Sequence, residues 1–121
     1  MKKKKVLYII VAVILILAGL WLDRQPTAEE KYVEYYFRSD NLLEQHYEKH
    51  GVEMGFDSME EYEEAACAVI YHPDVLTKTE KEDGDYVYYV EETNEFVVLS
   101  PDGYIRTYFN PSAGIDYYNR Q

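Results

Sequence analysis

The chain has 121 residues, of which 12 are basic and 23 acidic, with 14 tyrosines, three histidines and a single cysteine. Four of the basic residues are Lys2 to Lys5, and every acidic residue follows Leu22, so the part beyond Leu22 carries eight basic and 23 acidic side chains, a formal charge of −15. A field of that sign repels nucleic acid and anionic lipid, the lone Cys67 excludes an internal disulfide, and the length beyond Leu22 suffices for one small domain.

In chain order, the four lysines precede an apolar run from Val6 to Leu22, about 25 Å long as a helix. Such a run fits a membrane crossing and also the core of a signal peptide. Leu17 to Leu22 offers a poor cleavage site, and Trp21 stands where an interfacial anchor belongs, so an uncleaved anchor is favoured over a removed signal. The lysines then stay cytoplasmic and the remainder lies outside the cytoplasm, secreted if the signal is cleaved. Residues 23–39 read as a polar spacer and a first helix: Thr27 is an N-cap, and Tyr32, Val33, Tyr36 and Phe37 recur at helical spacing over 28–38.

The remaining domain spans residues 40–121. Ser39 caps a second helix in which Leu42, Leu43, His46, Tyr47 and His50 share a face and Gly51 ends the run. Ser58 to Glu61 fits a capping box, opening a third helix with Met59, Tyr62, Ala66, Val69 and Ile70 on its stripe and His72-Pro73 as its stop. The period then changes to alternation. Residues 85–91, 95–100 and 104–109 predict three strands joined by short turns, with residues 75–79 as a candidate fourth and 114–121 as a short helix or an extended tail. Helices followed by strands predict an α+β fold: after the transmembrane helix, two or three helices pack on one face of a three- or four-stranded antiparallel sheet.

On the last strand, strict alternation assigns Ile105, Thr107 and Phe109 to the core and Tyr104, Arg106 and Tyr108 to the open face. An arginine between two tyrosines binds a phosphate and stacks a base, or simply decorates a solvated surface. His46 and His50, within His46-Tyr47-Glu48-Lys49-His50-Gly51, lie one turn apart near a helix C-terminus, where the macrodipole is expected to raise both pKa values. A metal at this pair lacks ligands, because Glu48 misses the second place of H-E-x-x-H and Cys67 or His72 would have to arrive through the fold. Capping of the last helical carbonyls is the structural alternative.

The same block, followed by Glu53-Met54-Gly55-Phe56, residues 58–66, Thr93-Asn94-Glu95-Phe96, residues 102–109 and Pro111, resembles the metal-independent ribonuclease-toxin superfamily of barnase, the EndoU enzymes, the tRNA-cutting colicins and RelE, in its phage and polymorphic-toxin branches. The resemblance runs from about Leu42 to Tyr118. It implies an α+β domain that cuts RNA by moving the ribose 2′-oxygen onto phosphorus, with no metal or other cofactor. That reaction needs a base, an acid and positive charge on the phosphate. On this reading His46 or His50 transfers protons, Lys49 and Arg106 bind the phosphate, Thr107 orients it, and Tyr104, Tyr108 or Tyr117 stacks a base or shares the acid-base work. The competing expectation is a membrane-tethered binding or structural domain without catalysis, whose tyrosine-rich face meets an inhibitory or basic protein partner.

Overall fold

The computed structural model describes residues 32–121, so the expected membrane segment, the expected spacer and residues 28–31 of the expected first helix lie outside the described residues. Among the described residues no helix is long and apolar enough to cross a membrane. Glu34–Gln121 forms one folded unit, an α+β fold with three α-helices and a five-stranded mixed sheet.

The expected helix ending near Arg38 is replaced by strand β1, Tyr36–Phe37. Two adjacent aromatic residues suit an extended backbone, and tertiary contacts reward it: Tyr36 and Phe37 pair in parallel with Tyr104 and Ile105, and the Phe37 N–H donates to the Glu63 carboxylate at 2.9 Å. Ser39 then starts helix α1, Asp40–His46, its hydroxyl accepting from the Leu42 N–H at 3.2 Å. The helix does not stop at Gly51. It widens into a π turn, Tyr47–Gly51, with the Val52 N–H donating to the Tyr47 carbonyl at 3.0 Å. Gly51 is present because two rings pack onto it; a Cβ there would meet Tyr47 Cδ2 at 2.5 Å and Tyr62 Cδ2 at 3.0 Å.

Helix α2, Met59–Ile70, begins as the capping pattern predicts, with the Ser58 hydroxyl accepting from the Glu61 N–H at 3.2 Å. Tyr62, Ala66, Cys67 and Val69 are its buried stripe, and the Cys67 sulfur accepts from the Tyr35 N–H at 3.4 Å. Strands β2 (Leu76–Thr79), β3 (Tyr86–Val90), β4 (Glu95–Leu99) and β5 (Tyr104–Phe109) form an antiparallel meander, and β1 joins the outer side of β5, giving the order β1-β5-β4-β3-β2. The β3–β4 turn places Asn94 at φ 56°, a region asparagine tolerates better than most residues. Its amide ties three segments together, accepting from the Tyr89 hydroxyl at 2.7 Å and donating to the Pro111 carbonyl at 3.0 Å.

Two cores lie on opposite faces of this sheet. Phe37, Leu43, Tyr62, Ala66, Val69, Val90, Val97, Leu99, Ile105 and Tyr108 form the one beneath α1 and α2. Val87, Tyr89 and Phe96 form the other with Tyr118 from a short C-terminal helix α3, Ile115–Asn119. Helices therefore cover both faces, and the expectation of one free face fails because the tail folds back to bury the alternate residues of β3 and β4.

A β-bulge overturns the expected assignment of faces along β5. Val98 pairs with Thr107, but Leu99 pairs with Ile105, so Arg106 is an extra residue on β5. One inserted residue reverses the alternation beyond it. Tyr108 therefore joins Ile105 in the helix-side core with no exposed surface, while Phe109 packs against the α3-side core.

Candidate functional site

The chain turns away from β5 immediately after β1 and enters α1, which leaves a cavity of about 270 Å³ lined by Phe37, Arg38, Leu42, His46, Tyr104, Ile105 and Arg106. Phe37, Leu42 and Ile105 are its apolar residues. Arg38, Tyr104 and Arg106 supply polarity from the strands, and His46 supplies it from the end of α1. Both arginines already have acidic partners. Arg38 Nη2 lies 2.8 Å from each oxygen of Asp102, with its guanidinium carbon 4.2 Å above the Tyr104 ring. The Ser100 hydroxyl and Arg38 together hold the Asp102 carboxyl below the usual range. Arg106 Nε lies 3.2 Å from Asp85 Oδ1, whose side chain is almost fully buried.

The two histidines sit next to each other but border different cavities. His46 packs 5.1 Å from the Phe37 ring and 6.1 Å from His50. His50 stacks on Phe109 at 5.2 Å and borders a second cavity of about 150 Å³ with Glu53, Met54 and Asn110. Nδ1 of His46 is buried and has no hydrogen-bond partner. Contrary to the macrodipole expectation, both imidazole pKa values are lowered. Burial is the first cause in each; at His46 the charges of His50 and Lys49 add to it, and at His50 Lys49 adds while Glu53 opposes. The π turn carries the chain on past His50, so the pair is not at a solvated helix end, and loss of hydration outweighs the dipole.

A depressed imidazole pKa makes folding favour the neutral form, so the unfolded chain takes up protons first as the pH falls. The stability contributed by the pair is present above the ordinary imidazole value of 6.5 and is lost as the pH drops below it. Glu63, raised mainly by burial from an ordinary 4.5, acts in the opposite sense at lower pH. Denaturant midpoints of the wild type and of a His46→Gln, His50→Gln double variant isolate the histidine contribution: the variant's acid-side slope is shallower. Parallel curves contradict this.

Of the other residues expected at a site, Tyr104 and Arg106 border the same cavity as His46. Lys49 is exposed on the π turn and lines neither cavity. Thr107 is half-buried and paired with Val98. Tyr117 packs edge-on against Phe96 at 5.0 Å and Phe109 at 5.5 Å, with Arg120 6.0 Å from its ring. Tyr108 is withdrawn as a base-stacking residue: it is fully buried, stacks on Tyr62 at 5.0 Å, and its hydroxyl donates to Glu95. Sequence reasoning missed Arg38, which was placed at the end of a helix, and the acidic partners Asp85 and Asp102, whose approach depends on the sheet register. The first cavity thus offers one imidazole whose pKa is lowered by burial, one phenol, and two guanidinium groups paired with carboxylates. No protein-family model matches the chain and no curated protein matches it, so its chemistry rests on these residues alone.

Proposed function

We propose that residues 34–121 form a non-catalytic interaction domain that binds a basic protein partner and is held outside the cytoplasm by a membrane helix within residues 6–22. The observation that carries this reading is the pair Tyr36 and Tyr104, opposite each other in parallel register and 49% and 38% exposed. They stand on a unit with six basic and 20 acidic residues, a formal charge of −14. Arg38 over Tyr104 is an internal example of the contact that a partner's arginine or lysine would make. Long-range attraction by the acidic surface speeds encounter, and the exposed rings supply local contact.

A ribonuclease reading has one favourable observation, the shared cavity of His46 and Arg106. Against it stand the guanidinium groups already engaged by Asp85 and Asp102, the separate cavity of His50, and an overall charge that opposes phosphate binding. In that reading His46 or His50 carries protons, Lys49 and Arg106 hold the phosphate, Thr107 orients it, and Tyr104 or Tyr117 stacks a base.

One set of proteins separates the two. The full chain is expected to bind an arginine- and lysine-rich peptide with an affinity that falls as salt rises, and Tyr36→Ala and Tyr104→Ala each weaken it about two- to five-fold. An acidic peptide does not bind. Equal binding by wild type and both variants overturns the proposal. RNA cleavage in EDTA that is lost in both His46→Ala and Arg106→Ala replaces it with the enzymatic reading. Intact mass of the mature protein separates a retained anchor from a cleaved signal.

A further inference from the structure

Strand β2 is one border of the sheet and pairs with β3 on one side. The Glu80 N–H donates to the Asp85 carbonyl at 2.8 Å, and the register runs on from that pair through Lys78 opposite Val87 and Leu76 opposite Tyr89. In an antiparallel ladder every second residue turns its backbone groups toward the partner strand. Glu80, Lys78 and Leu76 therefore bond to β3, and the N–H and C=O groups of Thr77 and Thr79 point away from the sheet. Among the described residues nothing bonds to these outward groups. The opposite border is different: β1 has two residues and the chain then enters α1.

An edge strand normally carries some device against further pairing, such as a proline, a bulge or a charge projecting across the edge. Leu76-Thr77-Lys78-Thr79 has no proline, and its register with β3 runs without a shift. Its one charge is turned aside, because the Lys78 ammonium lies 4.0 Å over the Tyr118 ring on the α3 face. On the other face Thr77 and Thr79 stand across from Tyr88 and Tyr86, and with Lys78 these residues line a cavity of about 160 Å³. A row of open backbone donors and acceptors thus runs beside a shallow groove. That combination fits an extended chain whose backbone continues the ladder and whose alternate side chains enter the groove.

We propose that the outer edge of β2 receives an extended, basic segment of a partner protein, added to the sheet as a further strand. Charge selects the partner. The unit carries −14, and Asp74, Glu80, Glu82 and Asp83 stand in and around β2 against Lys78 and Lys81, so lysine or arginine on the incoming strand is attracted. A second copy of this chain fits less well. Antiparallel self-pairing with full overlap sets Lys78 opposite its own counterpart, and like charges directly opposite are destabilising. Tyr36 and Tyr104 lie at the far border of the sheet, so this contact is separate from the one proposed above and shares with it only the sign of the partner's charge.

The test is amide hydrogen exchange of the full chain with a peptide of alternating lysine and valine, about ten residues long. Fluorescence anisotropy of the labelled peptide reads the affinity. Saturable binding is expected to slow exchange at the Thr77 and Thr79 amides, and a glutamate-valine peptide of the same length is expected not to bind. Methylating the backbone nitrogens along one edge of the lysine-valine peptide removes several donors and is expected to weaken it about tenfold or more. Thr79→Pro deletes an outward N–H that β3 does not use, so it is expected to leave the thermal midpoint close to that of the wild type and to weaken the peptide about three- to tenfold. Should that variant fail to fold, the methylated peptide decides. Tyr36→Ala and Tyr104→Ala are expected to leave the slowed exchange at β2 unchanged, which keeps failure of the tyrosine contact distinct from failure of this one. Unaltered exchange at Thr77 and Thr79 under saturating peptide overturns the proposal, as does equal affinity of the methylated peptide. Slowed exchange in the protein alone that grows with its concentration also overturns it, and marks a second copy as the occupant.

Discussion

Replacing Tyr62 with alanine is expected to lower the unfolding free energy by about 3–5 kcal/mol, as removal of a large buried aromatic side chain does. For a unit of this size that moves the thermal midpoint by on the order of 20 °C. Tyr62 has no exposed surface, and its ring stands within 6.0 Å of four others: Phe37, Tyr47, Phe56 and Tyr108. It therefore joins β1, the π turn, the loop before α2, and β5. Its hydroxyl also donates to the Tyr108 carbonyl, and burial pushes its pKa well above the ordinary phenol value. Tyr62→Phe separates the two roles. It keeps the ring and leaves a buried carbonyl without a donor, for an expected loss of about 1–3 kcal/mol. Chemical denaturation followed by far-ultraviolet circular dichroism measures both, since residues 34–121 contain no tryptophan. A loss under about 2 kcal/mol for the alanine variant contradicts Tyr62 as the centre of this packing.

Gly51→Ala is expected to destabilise the protein by about 1–3 kcal/mol, the usual cost of overpacking, although alanine ordinarily gains up to about 1 kcal/mol over glycine within a helix. The sign is decided by the rings on either side. Tyr47 Cδ2 would stand 2.5 Å from the new methyl group and Tyr62 Cδ2 3.0 Å from it. Neither ring moves freely, because the Tyr47 hydroxyl donates to the Phe56 carbonyl at 2.9 Å and the Tyr62 hydroxyl to Tyr108. A Tyr47→Leu background is expected to relieve part of the penalty, which a double-mutant cycle reads as coupling between the two positions. A neutral or stabilising Gly51→Ala shows instead that the rings yield.

The features legible in the sequence are those that few neighbouring residues determine. Ser39 and Ser58 cap the helices they were expected to cap, and the strands over 86–90, 95–99 and 104–109 follow their alternation and turns. What escaped depends on distant partners. Tyr36 and Phe37 read equally well on a helical stripe, and pairing with Tyr104 and Ile105 decides for a strand. Tyr-Ile-Arg-Thr-Tyr-Phe alternates acceptably in either phase, so only the register of β4 reveals that Arg106 is extra and that Tyr108 points inward. His46 and Arg106 were expected together and do border one cavity, whereas His50, Lys49, Thr107 and Tyr117 were drawn into the same group by motif order rather than by geometry. The histidine pKa direction was misjudged for a related reason, because a helix dipole is visible in a sequence and the burial of its end is not.

The ring contacts around β5 have a consequence for how the molecule comes apart. From Phe37 through His46, His50 and Phe109 to Tyr117, each ring lies within 6.1 Å of the next, and this path passes from the α1 side of the sheet to the α3 side. The layers on the two surfaces are thus stitched together around the Phe109 end of β5, beyond its pairing with β1, as well as through the backbone ladder. Loosening of the last helix is then expected to reach the imidazole pair, and thermal unfolding is expected to show one cooperative transition rather than two in succession.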